Sequence, residues 1–198
     1  MLTVLRRHAK QLESGREGEY PSQAAVLIAL TSAPDPEIIL TKRAGHLSSH
    51  SGEVSLPGGK WDQSDRSLLH TALRESHEEI GLEPSLVEIL GGMSPRFTRW
   101  DVLVTPYVGI VPQSVELIPN LDELDNIFKV PLSYFLEADN RARTDLFDRR
   151  NKSYWAPAYM FKGYEIWGFT AGLLVDFLNG FFDAGIVAES TAPVRRWG

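Results

Sequence analysis

One stretch, residues 56–82, constrains this chain more than any other, and it reads LPGGKWDQSDRSLLHTALRESHEEIGL. A Pro-Gly-Gly turn opens it, and an apolar pattern with helical spacing follows and stops at Gly81. Glycine directly after a helix is a stop signal, and Ser64, Asp65 or Ser67 can cap the start by accepting hydrogen bonds from free N–H groups. The stretch therefore predicts a loop that leads into a helix.

The predicted helix has an acidic stripe, Glu75, Glu78 and Glu79, because these residues fall together at about 100° per residue. Their carboxylates repel one another, whereas a hard divalent cation, which prefers oxygen ligands, would remove that repulsion. The alternative is a solvated acidic face on which Arg74 pairs with Glu78, four residues later. The sector beside the stripe that faces the core consists of Leu68, Leu69, Ala72, Leu73, Ser76 and Ile80.

These residues carry a resemblance to a known family. Gly59, a spacer and residues 74–82, RESHEEIGL, are similar to the Nudix box, the signature of hydrolases that cleave a nucleoside diphosphate linked to another group. The resemblance implies an α/β/α sandwich with a mixed sheet, in which the box is a loop–helix–loop motif. The spacer is one residue longer than in the general box, which leaves Asp65 or Arg66 where a glutamate is expected, and Ser76 replaces a usual aliphatic residue.

The resemblance also implies a metal site. Glu75, Glu78 and Glu79 are the implied ligands of Mg²⁺ or Mn²⁺, and the Gly58 carbonyl is a further one. Arg74 is implied in a catalytic role, as the partner that orients a carboxylate. The expected reaction is the metal-dependent hydrolysis of a diphosphate bond.

The resemblance also implies a further acidic residue in the segment NLDELD, after the predicted central strand. Glu123 is the candidate for an additional ligand or for the base that takes the proton from the attacking water, and Asp122 is its rival. Glu78 is the other candidate for that base. In the alternative interpretation, Glu123 is a capping acid on a surface turn.

A second motif narrows the resemblance. The segments Leu40-Thr41-Lys42-Arg43, His46-Leu47, His50, Gly52 and Leu56-Pro57-Gly58-Gly59 are similar to the extra motif of the coenzyme A diphosphatase branch of Nudix hydrolases. This implies coenzyme A or an acyl derivative as the substrate, cut to 3′,5′-ADP and 4′-phosphopantetheine or its acyl form. Two alternatives stay open: another nucleotide substrate, such as ADP-ribose or a dinucleotide, and a module that binds a nucleotide without hydrolysing it.

The segment that follows the second predicted strand supplies candidate substrate contacts. Arg43 can bind a phosphate through two hydrogen bonds, and its alternative is a solvated charge at the end of a strand. His46 and His50 are four residues apart but lack the His-Glu-x-x-His pattern of a zinc site. For His46 we therefore expect a substrate contact or a hydrogen bond within the loop.

Arg96 and Arg99 lie in an aromatic segment, residues 93–101. Together with Phe97 and Trp100 they can stack on an adenine or contact a phosphate, and we assign both arginines to substrate binding. The alternative is an exposed hairpin tip.

The charge and the composition limit the partners of this chain. A net charge of −6 and a pI near 5.4 argue against binding to nucleic acid or to an anionic membrane, which needs a basic face. The absence of cysteine excludes a disulfide framework and thiolate zinc sites, and it is compatible with the cytoplasmic location that we expect. Residues 1–15 lack the apolar run of a signal peptide, and no apolar run reaches the length of a membrane span.

Strands and helices interleave along the chain, which supports an α/β class independently of the resemblance. We expect a single domain over residues 1–198, with an N-terminal helix and linker at 1–20, the box at 56–82 and a C-terminal helix at 168–185. The first helix, at residues 2–13, is expected to pack on the domain or to form a homodimer contact. Strands are predicted at 24–30, 38–41, 86–90 and 102–111 and as a pair within 154–167, with a turn at 34–36, a short helix that ends at 137, a surface loop at 138–152 and a tail at 192–198.

Overall fold

The computed structural model of the protein describes residues 1–8, 20–47, 50–137, 143–149, 152–187 and 194–197. The chain divides into two compact units, Met1–Pro131 and Leu132–Gly198. The first unit contains the box and all of the predicted site residues. Within the described ranges, no helix is long and apolar enough to cross a membrane.

A mixed sheet forms the first unit, with β1 (Gln23–Thr31) as its central strand. It runs parallel to β7 (Leu103–Val111) along its whole length. Both strands are almost wholly buried, because the apolar run of β1 has no polar face that could turn toward water. The other strands are β2 (Glu37–Arg43), β3 (Val54–Ser55), β4 (Gly58–Lys60), β5 (Glu88–Gly92), β6 (Arg96–Phe97) and β8 (Leu124–Pro131).

Strand β1 changes its antiparallel partner along its length. Near its end it pairs with β2, where Leu30 lies beside Ile38, and near its start it pairs with β4, where Ala25 lies beside Gly59. The end of β2 pairs with β3, and the other edge of β2 pairs with β8 along its whole length. Gly58 has a φ of 143°, and a Cβ there would lie 2.3 Å from the Ala25 carbonyl oxygen, so that only glycine fits. The Pro-Gly-Gly turn is therefore fixed in the sheet.

Helix α2 (Leu68–Ile80) follows these glycines and packs on one face of the sheet. The Ser67 hydroxyl accepts a hydrogen bond from the His70 N–H at 3.1 Å, and Gly81 ends the helix with a φ of 66°. The loop and helix predicted for residues 56–82 are thus confirmed, and Ser67 is the cap among the three candidates. The core between helix and sheet includes Ala25, Leu27, Ala29, Ile39, Leu68, Ala72, Ile80 and Tyr107.

An exposed ion pair ties the N-terminal helix α1 (Leu2–His8) to β5. The guanidinium of Arg6 donates to the two carboxylate oxygens of Glu88 at 2.9 and 2.7 Å. The helix predicted over residues 2–13 is confirmed as far as His8, and the rest of it lies outside the described residues.

The second unit contains a separate sheet and an apolar helix. The hairpin predicted around Lys162 and Gly163 and the C-terminal helix predicted at 168–185 are confirmed. The helices are α3 (Leu132–Leu136) and α4 (Gly168–Phe182), and the strands are β9 (Arg143–Arg149), β10 (Lys152–Phe161), β11 (Tyr164–Trp167) and β12 (Val194–Trp197), in the order β11-β10-β9-β12.

The structure differs from the sequence predictions at several places, one of which is the predicted tail, where β12 pairs with β9. Residues 84–86 form a 3₁₀ turn, so that β5 begins two residues later than the predicted strand. Strand β8 was not predicted, and β9 lies within a segment predicted as a surface loop. Strands β8 and β9 are rich in polar residues, and their ladders with β2 and β10 override a weak local preference. The mixed α/β class is confirmed, and the single domain stays a prediction.

Candidate active site

The site is built on a buried ion pair at the start of α2. The side chain of Asp65 is fully buried, and its two oxygens accept hydrogen bonds from Nε and Nη2 of Arg74, each at 2.9 Å. The Asp62 N–H and the Thr71 hydroxyl donate to the same carboxylate, and Nδ1 of His70 lies 2.8 Å from it. The Arg74 guanidinium and these further bonds hold the pKa of the Asp65 carboxyl well below its usual range.

Arg74 extends from this ion pair to the acidic stripe. Its Nη1 lies 3.0 Å from Oε1 of Glu75 and 3.0 Å from Oε2 of Glu78. One guanidinium therefore holds two carboxylates of the stripe, while Asp65 fixes the guanidinium. The pairing of Arg74 with Glu78 on a solvated face accounts for the half-exposed Glu78 but not for Glu75, which is four-fifths buried.

Glu79 is the most buried carboxylate of the stripe, with 5% of its side chain exposed. Its Oε2 accepts a hydrogen bond from the Gly58 N–H at 3.0 Å, and its Oε1 lies 3.8 Å from Nη1 of Arg43. Burial raises the pKa of Glu79 to about 7, and the negative charges of Glu123 and Glu75 act in the same direction. The Gly58 N–H and Arg43 therefore do not offset the loss of hydration, and the site is short of positive charge.

Gly59 makes room for Glu75. A Cβ on residue 59 would lie 2.4 Å from Oε2 of Glu75, which is closer than real contacts allow. Burial raises the pKa of Glu75 although Arg74 lowers it, and the charge of Glu123 adds to the increase. The missing side chain of Gly59 thus forms a cradle for this carboxylate.

Arg43 lies at the end of β2, where the ladder with β8 shifts its register. About three-quarters of its side chain is buried, and its Nε is buried without a hydrogen-bond partner among the described residues. This burial beside Glu79 argues against a solvated charge at the end of a strand. The guanidinium is instead a cationic group of the acidic site.

The loop before β8 brings Glu123 to the stripe. The N–H groups of Ile118 and Asn120 donate to the carbonyls of Ile80 and Glu79 at 2.9 and 2.8 Å, so the loop is attached to the last turn of α2. The charge of Glu123 raises the pKa of Glu79, which requires that the two carboxylates interact. Glu123 therefore belongs to the same charged cluster as the stripe.

His46 and Asp122 lie at the edge of this loop, and both are exposed. Nε2 of His46 lies 3.2 Å from the Asp122 carbonyl oxygen, which is the loop hydrogen bond expected of His46. Nδ1 of His50 lies 2.7 Å from the carboxylate of Glu53. The Asn120 side chain accepts from the Asp122 N–H at 3.2 Å, so the turn is capped by Asn120.

Arg96 and Arg99 lie on the far side of the central strands from the glycines. Arg96 is in β6 and pairs with Val104 of β7, and the guanidinium of Arg99 lies 4.8 Å from the ring centre of Trp100. Strands β1 and β7 separate β6 from β4. The sheet therefore does not place these two arginines directly beside Glu79.

The donor groups of the stripe fit a hard divalent cation. They are carboxylate oxygens, which Mg²⁺ and Mn²⁺ prefer, and both the cradle at Gly59 and the raised pKa of Glu79 indicate negative charge that a cation would offset. No three His, Asp or Glu side chains of the described ranges form a ready-made cage, and Arg74 and the Gly58 N–H hold the stripe carboxylates. The group of Gly58 that contacts the stripe is its N–H.

Asp65 is the site residue that the sequence left undecided. The resemblance expects an acid near this point, but the additional spacer residue allowed either Asp65 or Arg66 at that position. The structure buries Asp65 and exposes Arg66. The feature that distinguishes Asp65 from Arg66 is a buried acid within reach of Arg74. Burial within a loop cannot be predicted from sequence spacing alone.

Comparison with known proteins gives related sequences and folds. The family model described as "NUDIX domain" matches residues 21–149. The chain is 41% identical to "Nudix hydrolase 15, mitochondrial" of Arabidopsis thaliana, with 78% of the chain and 57% of the plant protein covered, so the match spans less than two thirds of that relative. It is 39% identical to "Uncharacterized Nudix hydrolase NudL" of Enterobacter sp. (strain 638), with 77% and 79% covered. The crystal structure of a MutT/nudix family protein from Enterococcus faecalis shares the fold, with a TM-score of 0.55 at 18% identity over 92% of this chain and 70% of that chain.

Proposed function

The chain belongs to the Nudix hydrolase family, and on that premise we propose that it hydrolyses the diphosphate bond of coenzyme A or acyl-coenzyme A. The products are 3′,5′-ADP and 4′-phosphopantetheine or its acyl form. The reaction requires a divalent cation, Mg²⁺ or Mn²⁺. Within the family, this substrate is supported by the second sequence motif, from Leu40 to Gly59.

The observation that carries the proposal is the unbalanced charge around Glu79. A buried carboxylate is normally neutralised by close partners, and Glu79 has the Gly58 N–H and a guanidinium 3.8 Å away. The carboxylates of Glu75 and Glu123 add negative charge to the same cluster. Such an arrangement costs folding free energy and is typical of a site that is completed by a ligand.

Different residues of the chain have different roles in the proposed reaction. Glu75, Glu78 and Glu79 would hold the cation, with the Gly58 carbonyl as a further donor. When bound, the cation neutralises phosphate charge and lowers the pKa of a water molecule. Glu78 or Glu123 takes the proton from the attacking water, and Arg74 keeps Glu75 and Glu78 in position through its own ion pair with Asp65.

Arg43 and His46 are assigned to the substrate. Arg43 reaches the cluster from the end of β2. Its buried Nε has no hydrogen-bond partner among the described residues, which suits a phosphate oxygen. In coenzyme A this would be the 3′-phosphate or the diphosphate itself. His46 lies at the exposed edge of the loop, where it can contact the part of the substrate that leaves the cluster.

A panel of substrates tests the proposal directly. The purified chain is assayed with Mg²⁺ or Mn²⁺ on coenzyme A, acetyl-coenzyme A, ADP-ribose and a diadenosine polyphosphate, and the products are identified by mass spectrometry. We expect the highest kcat/KM for coenzyme A or its acetyl form, with 3′,5′-ADP as one product. A preference for ADP-ribose or the dinucleotide would reject the coenzyme assignment and keep the diphosphatase.

A variant separates an enzyme from a module that only binds nucleotides. Glu78→Gln removes one carboxylate from a half-exposed position, so folding should be nearly unchanged. We expect turnover to fall by a factor on the order of 100 or more, since an implied ligand and candidate base is lost. Equal inertness of the wild type and the variant on every substrate would support the binding module. A cytoplasmic location and a homodimer stay predictions.

A further inference from the structure

An exposed aromatic patch lies on the hairpin that joins β6 to β7. Trp100 is 65% exposed and Phe97 is 55% exposed, and the ring of Tyr20 meets that of Phe97 edge to face at 5.6 Å. The guanidinium of Arg99 lies over the Trp100 ring at 4.8 Å from its centre. We call these four residues the aromatic patch. Large aromatic side chains that remain in water beside one another mark a binding surface.

The turn that carries Trp100 is held by its own hydrogen bonds. The Thr98 hydroxyl accepts from the N–H groups of Trp100 and Val102, each at 3.2 Å, and the Thr98 N–H donates to the Val102 carbonyl at 2.9 Å. Asp101 adopts a left-handed conformation with a φ of 59°, which is uncommon for residues other than glycine and is tolerated best by aspartate and asparagine. These hydrogen bonds fix the turn from which the Trp100 indole extends into solvent.

The strand register places Phe97 of the patch on the same face of the sheet as α2. Phe97 pairs with Leu103 of β7, and directly paired residues share a face. Along β7 the side chains alternate, so Leu103 shares its face with Tyr107, which packs in the core beneath α2. Phe97 and the box helix therefore lie on one side of the sheet.

The same register gives the distance from the glycines to β6, the strand that carries Phe97. Lys60, Ala24, Val104 and Arg96 form one row across β4, β1, β7 and β6. Three strand spacings correspond to about 14 Å between the ends of this row. Phe97 follows Arg96, and Trp100 lies in the turn beyond it, so the patch begins where this row ends. A nucleotide whose phosphates lie at the stripe therefore has to extend across β1 and β7 to bring its base to the patch.

We propose that the aromatic patch binds the adenine base of the substrate, with the base stacked on the indole of Trp100. This inference rests on the proposed function for the identity of the nucleotide. Arg99 covers one face of the indole, and the large exposed fraction of the side chain leaves surface for a second flat ring. Base stacking on aromatic side chains that carry a neighbouring arginine is a general means of holding a nucleotide. Arg99 also supplies positive charge to an anionic ligand, on a chain whose net charge is −6.

Binding measurements with and without the base test the proposal. The full chain, Trp100→Ala and Trp100→Phe are titrated by calorimetry with adenosine 3′,5′-bisphosphate and with inorganic pyrophosphate in the presence of Mg²⁺. We expect Trp100→Ala to lower the affinity for the nucleotide by about fivefold or more, which is the effect of removing one base–aromatic stack. The affinity for pyrophosphate should be unchanged. Trp100→Phe keeps an aromatic face and should retain most of the affinity. Met160→Ala removes a comparably exposed side chain from the second unit and serves as the matched control.

The outcomes separate this inference from the proposed function. If coenzyme A is hydrolysed and Trp100→Ala raises KM with an unchanged kcat, the proposed function and this inference are both supported. If coenzyme A is inert but adenosine 3′,5′-bisphosphate still loses affinity in Trp100→Ala, the patch binds adenine and the coenzyme assignment fails. Equal affinity of Trp100→Ala and the wild type for the nucleotide, or no binding of it by the wild type, overturns the inference. It is also overturned if Trp100→Ala dissociates a dimer in sedimentation without a change in nucleotide affinity, since the patch is then an interface between copies.

Discussion

Asp65 and Glu79 are both buried carboxylates of the same loop and helix, and their surroundings are opposite. Asp65 receives two hydrogen bonds from Arg74 and further ones from its own loop and helix, and its pKa is lowered. Glu79 receives one from Gly58 and faces Arg43 at 3.8 Å, and its pKa is raised to about 7. Both side chains are almost fully enclosed, but loss of hydration outweighs the partners at Glu79, whereas the Arg74 guanidinium outweighs it at Asp65.

This contrast separates a structural acid from a functional one. A buried carboxylate whose hydrogen bonds are satisfied stabilises the fold and fixes its partner, as Asp65 fixes Arg74. A buried carboxylate that lacks partners weakens the fold and is retained where a ligand completes the site. Four measurements can break or sharpen this comparison.

The largest effect is expected for Glu79→Gln. Loss of this charge should lower kcat/KM by about 1,000-fold, because mutations of mere supporting groups of metal sites already cost about 10- to 100-fold. The amide keeps the shape and can still accept from the Gly58 N–H, so the unfolding free energy without metal should be equal to or above that of the wild type. Mg²⁺ should raise the melting temperature of the wild type but not that of the variant.

Glu83→Gln is the matched control for Glu79→Gln. It removes an exposed carboxylate just beyond the end of the same helix and should change neither the activity nor the response to Mg²⁺. If Glu79→Gln strongly destabilised the metal-free chain, Glu79 would be a structural acid like Asp65 and the contrast would be lost.

Asp65→Asn should have the second largest effect, on stability. Neutralising Asp65 removes the only fully buried partner that the described residues give Arg74, and we expect a loss of about 3 kcal/mol in the free energy of unfolding, measured by urea denaturation. Asp62→Asn changes an exposed neighbour and should cost less than about 0.5 kcal/mol. Similar losses for the two variants would show that the Asp65 pair contributes little.

Gly59→Ala tests the cradle for Glu75. The added Cβ must displace a flexible carboxylate and not the backbone, so we expect little loss of stability but about a tenfold loss in affinity for Mn²⁺. The loss should disappear when Glu75 is already replaced by alanine, because the two changes act on one contact. Gly180→Ala, where nothing lies within 4 Å of the added atom, is the control. A loss that persists without Glu75 would assign the effect to the backbone.

The part of the site that depends on helical spacing was predicted from the sequence. The stripe, its place beside the core face of α2 and the cap and stop of that helix follow from periodicity and local signals. Which stripe member is buried does not follow, because Glu79 is covered by β4 and by Arg43 from a distant strand. The partners of Asp65 could not be predicted for the same reason, since its hydrogen bonds form only when the loop folds back on α2.

Strand β8 shows the same limit at the level of the fold. Its sequence, LDNIFKVP, alternates poorly and has a burial pattern to match, so its own propensity does not define a strand. The strand exists because β8 fills the second edge of β2 along its whole length, from Glu37 to Arg43, and β2 extends well beyond its contact with β1. That extension also carries Arg43 to the site, so the element missed by local signals is part of what positions a predicted residue.

The smallest effect, and the one most specific to Asp65, is expected in the pH dependence of stability. The Arg74 guanidinium holds the pKa of this carboxyl below the value of about 3.9 that it has in an unfolded chain. The stabilisation is therefore complete above that value and is lost as the pH falls, because the unfolded chain takes up the proton first. Between pH 6 and pH 3 we expect the stability advantage of the wild type over Asp65→Asn to shrink by about 1 kcal/mol, measured by urea denaturation at each pH. An advantage that stayed constant or grew toward pH 3 would mean that the ion pair does not lower this pKa, and Asp65 could then not be contrasted with Glu79 on the basis of charge.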